Sequence, residues 1–115
     1  MRKVTQTITR AFLNREKATL SNTYTDGNTL YLHNNAIARH NSDGTLSISM
    51  AGWPTPTTRE RLNALPNVSV TQKNFTQYLN GREWNDNDRM TNIKEWDEQT
   101  KTINESKHNF LFRIN

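Results

Sequence analysis

A chain of 115 residues with 32 % apolar residues and a mean hydropathy of −0.95 can build one small hydrophobic core and not two. It contains no cysteine, which excludes disulfides, thiol catalysis and cysteine-based zinc sites and fits a cytosolic setting. The net charge of +4 gathers at the front: Arg2, Lys3, Arg10, Arg15 and Lys17 stand against Glu16 within residues 1–20, and cations and acids nearly balance afterwards.

Three tryptophans, three tyrosines and four phenylalanines supply core volume and argue against a chain disordered throughout. No apolar run approaches the roughly 18 residues of a membrane span, and the amino terminus lacks the apolar centre of a signal peptide. The expectation is a folded domain away from membranes, with homodimerisation one way to supplement a small core.

The first element is an amphipathic helix. Val4, Ile8, Ala11, Phe12 and Arg15 recur at a 3.6-residue period, which predicts a helix over about residues 3–17. Lys3, Arg10 and Lys17 recur every seven residues and would share its solvent face, either as ordinary surface charge or as a docking face.

The period then changes to two. Thr23-Tyr24-Thr25, Thr29 to His33 and Ala36 to His40 read as strands separated by turns at Asp26-Gly27-Asn28 and Asn34-Asn35. After a turn at Asn41 to Gly44, Thr45 to Met50 alternates cleanly, with Leu46, Ile48 and Met50 inward and Thr45, Ser47 and Ser49 outward. This is an antiparallel meander.

A short helix follows, near Thr58 to Leu65. Thr57 as N-cap and Glu60 three residues on have the spacing of a capping box, and Pro66 stops the run. Leu62 and Leu65 share its core face. Arg59 and Arg61 serve none of these tasks, which makes them candidate binding residues together with Lys3, Arg10 and Lys17. Next come strands at Asn67 to Thr71 and Phe75 to Leu79, with Lys73-Asn74 in the loop between them. A hairpin through Asn80-Gly81 leads to Arg82-Glu83-Trp84.

Asn85 to Asp88 marks a boundary, giving an α+β domain over residues 1–85 and a C-terminal extension over 86–115 that packs on it. The extension reads as a helix over about residues 90–104 and a terminal strand at Phe110 to Ile114.

Catalytic and metal signatures are absent from the sequence. His33, His40 and His108 have no well-placed carboxylate beside them, and Asp86/Asp88 begin a calcium-loop pattern that Thr91 and Asp97 fail to complete. There is no nucleophile elbow, phosphate loop or dinucleotide fingerprint, so no enzyme, metal or cofactor is expected. Nucleic-acid binding is the stronger alternative. Its basis is the basic first helix, with Arg59 and Arg61 near a helix start, and Tyr31, Tyr78 and Trp84 to stack on bases if they lie exposed on a sheet.

LYLHNNAIA (Leu30 to Ala38), AGWPTPTTRERLNALPNVSV (Ala51 to Val70) and YLNGREW (Tyr78 to Trp84) resemble a family of small tailed-phage proteins over about residues 4–85. Asn34 and Asn67 replace glycines of the family pattern, which predicts left-handed backbone at both. The segment after Asn85 extends past the family pattern as it is recognised in these blocks. The resemblance implies a source and no mechanism. Small phage proteins without catalytic motifs often act by binding a host machine, and from that class the expectation is stoichiometric binding and inhibition of a host factor in the host cytoplasm, a defence complex such as a CRISPR effector being one target class. A minor virion component is a further alternative.

Overall fold

The structure is a computed structural model that describes residues 2–102. Helix α1 (Lys3–Leu13) buries Thr5, Ile8, Thr9 and Phe12, one stripe at the spacing of a single helical face. It stops four residues earlier than its period predicts (Leu13 against Lys17), and the reason is local. Arg15 adopts a left-handed φ of 59°, its N–H donates to Phe12 O at 3.0 Å, and the Glu16 N–H donates to Ala11 O at 2.8 Å. These two bonds are the Schellman closure, here with arginine where glycine is usual. Gly27 lies against the closure: a Cβ there would sit 2.7 Å from Arg15 O, so the position accepts no side chain without a shift.

Lys17 therefore opens a strand. Strands β1 (Lys17–Leu20), β2 (Thr23–Asp26), β3 (Thr29–Leu32), β4 (Asn35–His40) and β5 (Leu46–Ile48) form an antiparallel meander. β1 is an element that the sequence pattern did not reveal. The β3–β4 turn is His33-Asn34, with φ of 49° and 65°, one residue earlier than expected and of the type I′ sign pattern that matches strand twist. Asn34 and Asn67 (φ 61°) are both left-handed, as expected of asparagine in a glycine position.

Helix α2 (Pro56–Leu62) begins two residues earlier than expected, at Pro56 rather than Thr58. Thr55 is the N-cap, its hydroxyl accepting the Thr58 N–H at 3.2 Å, and Pro56 occupies the first helical position, where a missing N–H costs nothing. Glu60 makes no capping box; its Oε2 accepts the Thr5 hydroxyl of α1 at 2.8 Å. Beyond α2, the Asn63 side chain imitates a strand partner, accepting Val70 N–H at 2.6 Å and donating to Val70 O at 3.0 Å.

β6 (Val70–Lys73), β7 (Thr76–Leu79) and β8 (Arg82–Glu83) form a second, three-stranded sheet, with the Asn80-Gly81 hairpin where the sequence placed it. The chain then returns to the first sheet. Asn87 O accepts the Met50 N–H at 2.6 Å, and β9 (Thr91–Asn92) pairs with β5 to complete a six-stranded sheet. This return covers Ser47 and Ser49, which are buried although their alternation predicts exposure. Residues 93–102 are helical (α3), with Ile93 in the core and the Trp96 Nε1 donating to Leu79 O at 2.9 Å. The expected strand at 110–114 and His108 lie outside the described residues.

The core joins one face of the large sheet (Leu30, Leu32, Ala38, Ile48) to α1 (Ile8, Phe12), α2 (Leu62), the small sheet (Val70, Leu79) and Trp84. The architecture is α+β, as the sequence predicts.

Candidate functional site

The five cations singled out in the sequence do not converge. Lys3 and Arg10 are exposed on one face of α1. Lys17 leaves that face with the early helix stop and sits on β1 opposite Asp26. Arg59 and Arg61, two positions apart on α2, point to different sides, because two residues turn about 200° around a helix.

Arg61 corrects the sequence reading most sharply. It is fully buried, so it offers nothing to a binding rim. Its Nε donates to Thr23 Oγ1 at 3.0 Å, its Nη1 to Thr5 Oγ1 at 2.6 Å and its Nη2 to Asn22 Oδ1 at 3.3 Å, and it forms an ion pair with Glu60. The guanidinium thus ties α2 to α1 and β2. Burial pushes its pKa down, opposed by the Glu60 charge, and a guanidinium remains ionised under such a balance.

Arg59 does a different task. Its Nη1 donates to Pro54 O, Gln72 Oε1 and Gln77 Oε1, each at 3.1 Å. It thereby latches the loop before α2 to the β6–β7 hairpin, and the Gln77 amide adds a bond to Gln72 at 2.7 Å.

Both latched segments carry an exposed aromatic side chain. Trp53, next to Pro54, is 61 % exposed, and Phe75, at the hairpin tip one rung beyond Gln72 and Gln77, is 92 % exposed. A cleft of about 480 Å³ opens beside Trp53, floored by Leu32, Ile37 and Met50 and bordered by His33 and Thr58. Lys73 is exposed at the tip as well, so this edge is aromatic and basic.

Phe75 is a residue that local rules do not explain. Asn74 and Phe75 form the two-residue turn, with φ of 50° and 65°. Glycine is preferred at the second place of such a turn, and a bulky residue with positive φ is a true outlier. No burial compensates it. The sequence reading missed the site because it counted Phe75 as the first residue of a strand. The signal was present in a two-residue connection whose second member should be glycine.

Other candidates are placed differently. Trp84, considered as a base-stacking residue, is buried, and its Nε1 donates to Thr91 Oγ1 at 3.0 Å. His40 stacks on Phe12 with ring centroids 4.4 Å apart and bonds Phe12 O at 2.7 Å, while His33 faces Asn22 at 3.4 Å. Among the described residues no helix is long and apolar enough to cross a membrane.

The fold and this edge define a small α+β protein that presents aromatic side chains on latched loops. The chain belongs to the Kyanoviridae Gp96 protein family, a phage protein family, whose model matches residues 1–105. The match carries the family past Asn85, where the resemblance in the sequence blocks ended, and takes in β9 and the described part of α3. No curated protein and no solved structure matches the chain.

Proposed function

We propose that this phage protein acts by stoichiometric docking on a host protein complex, inhibiting it, with the Trp53/Phe75 edge as the contact surface. Defence complexes, CRISPR effectors among them, are one class of target, and the host cytoplasm is the place of action. The observation that carries this reading is Phe75, a fully displayed aromatic ring held in a backbone conformation unfavourable to it. Strain without a folded-state return is concentrated at binding sites. Exposed tryptophan and phenylalanine on rigid supports also supply the buried anchors of protein interfaces. Arg59 provides the support, which gives it a positioning part in binding rather than a direct contact.

The test is affinity capture of the tagged full chain from infected cells, with and without nuclease, beside the Phe75→Gly and Trp53→Ala variants. The reading expects a specific host protein in both arms, lost with either variant. Recovery of no specific protein, or recovery that ends on nuclease treatment, overturns it. Co-purification with virus particles instead would mark a virion component.

A further inference from the structure

The large sheet has one face in the core, and over β1 to β4 its other face is open and carries a pattern independent of the docking edge. Tyr24 and Tyr31 are cross-strand partners on β2 and β3. They alternate with the buried Thr23, Thr25, Leu30 and Leu32, so both point away from the core. Their rings stack with centroids 4.5 Å apart and planes within 10°. That separation is close to the inter-strand spacing of about 4.8 Å, so the rings stand upright, face to face along the row. Thr19 of β1 and Ala36 of β4 complete the row, one at each end. Both are small, so neither can cover the whole outer face of the ring beside it, and the two tyrosines are half-buried.

Charge falls beside these two places. Lys17 is two residues from Thr19, and Arg39 pairs with Thr29, two residues from Tyr31. Each cation therefore lies one same-face step, about 7 Å, from the aromatic row, and they stand at opposite ends of it. Asp26 lies between them on β2, its carboxylate accepting the Asn28 N–H at 2.9 Å and the Thr29 N–H at 2.8 Å. Its lone pairs are thus partly committed to the β2–β3 turn.

We infer that the open face binds single-stranded nucleic acid, one base stacking on the outer face of Tyr24 and one on that of Tyr31, with Lys17 and Arg39 taking the adjoining phosphates. Base stacking on aromatic rings is sequence-tolerant, and an upright pair offers two π-faces where a flat ring offers one. A duplex does not fit, since its bases are already stacked. The surface uses neither Lys3 nor Arg10, so it differs from binding by a basic helix.

The test is fluorescence anisotropy of the full chain with labelled oligothymidylate and oligouridylate at about 50 and 200 mM salt. Two phosphate contacts predict a log–log salt slope of roughly −1.4, a sevenfold loss over that range. Tyr24→Leu with Tyr31→Leu keeps apolar bulk on the strands and should weaken binding at least about fivefold per stacking place. Lys17→Gln with Arg39→Gln should flatten the slope, and Lys3→Gln with Arg10→Gln should change nothing. No binding at the lower salt overturns the inference. So does binding that survives the leucine pair in a protein with unchanged circular dichroism, or that follows Lys3 and Arg10.

Discussion

Replacing Phe75 by glycine should stabilise the fold while abolishing partner capture. The left-handed conformation at φ 65° brings a Cβ close to the following carbonyl, which costs about 1–2 kcal/mol for a residue other than glycine. Glycine removes that cost and returns about 0.5–1 kcal/mol through the larger entropy of its unfolded chain. The ring is 92 % exposed, so its removal forfeits almost no burial. The net expectation is a gain of about 0.5–1 kcal/mol, a rise in Tm of a few degrees for a domain of this size. Thermal and urea unfolding of both proteins measure it, and capture from infected cells measures the function. A Phe75→Gly protein less stable than the parent by over about 0.5 kcal/mol would show that the ring has a folded-state partner. In that case its exposure no longer points to a binding role.

Arg61→Ala should cost about 3–5 kcal/mol, because it leaves Glu60 and the Thr5 and Thr23 hydroxyls without their buried donor. Arg61→Lys should also destabilise, since one ammonium cannot reach the same set of acceptors, and urea unfolding that places lysine at parental stability would contradict the network. Thr55→Ala should lower stability by about 1 kcal/mol, whereas Thr57→Ala should be near neutral. The reverse ranking in chemical denaturation would restore the capping box. Asp26 gives an acid-side dependence. The Thr29 N–H first, then the Asn28 N–H, hold its carboxyl below the usual 3.8, so the folded form takes up that proton less readily than the unfolded chain. Its contribution is whole above that value and disappears as pH falls through the lower folded pKa. Wild type and Asp26→Asn should therefore converge in urea midpoint as pH drops from about 6 to 2; curves that stay parallel would exclude the effect.

Legibility of the chain followed the range of the interactions involved. Alternation and hairpin dipeptides are local, so β2 to β5 and the Asn80-Gly81 hairpin could be read directly. The left-handed turns at Asn34 and Asn67 were readable because asparagine there stands in place of the family pattern's glycines and can still adopt that backbone. The α1 stop was not, since its closure uses arginine, a good helix former, in the place where glycine would have signalled an end. β9, two residues long, is too short for any period and exists because β5 offers it an edge. The capping error was small in distance but instructive. Thr55 with Pro56 beside it fits a helix start better than Thr57, and Glu60 was free to serve α1.

Three of the residues that break local rules separate structure from function by what each receives in return. Arg15 sits in left-handed backbone, yet it closes α1 through two hydrogen bonds and packs its carbonyl on Gly27. Arg61 is a buried charge, yet partners 56 and 38 residues away in sequence satisfy it, a distance that no local pattern could span. Natural chains violate such rules at functional sites and offset the cost elsewhere in the fold. Phe75 has the backbone penalty of Arg15 with neither the hydrogen bonds nor the burial, on a hairpin that Arg59 holds in place. The described residues offer the ring no such return, and the docking surface proposed above, by burying it, would supply one.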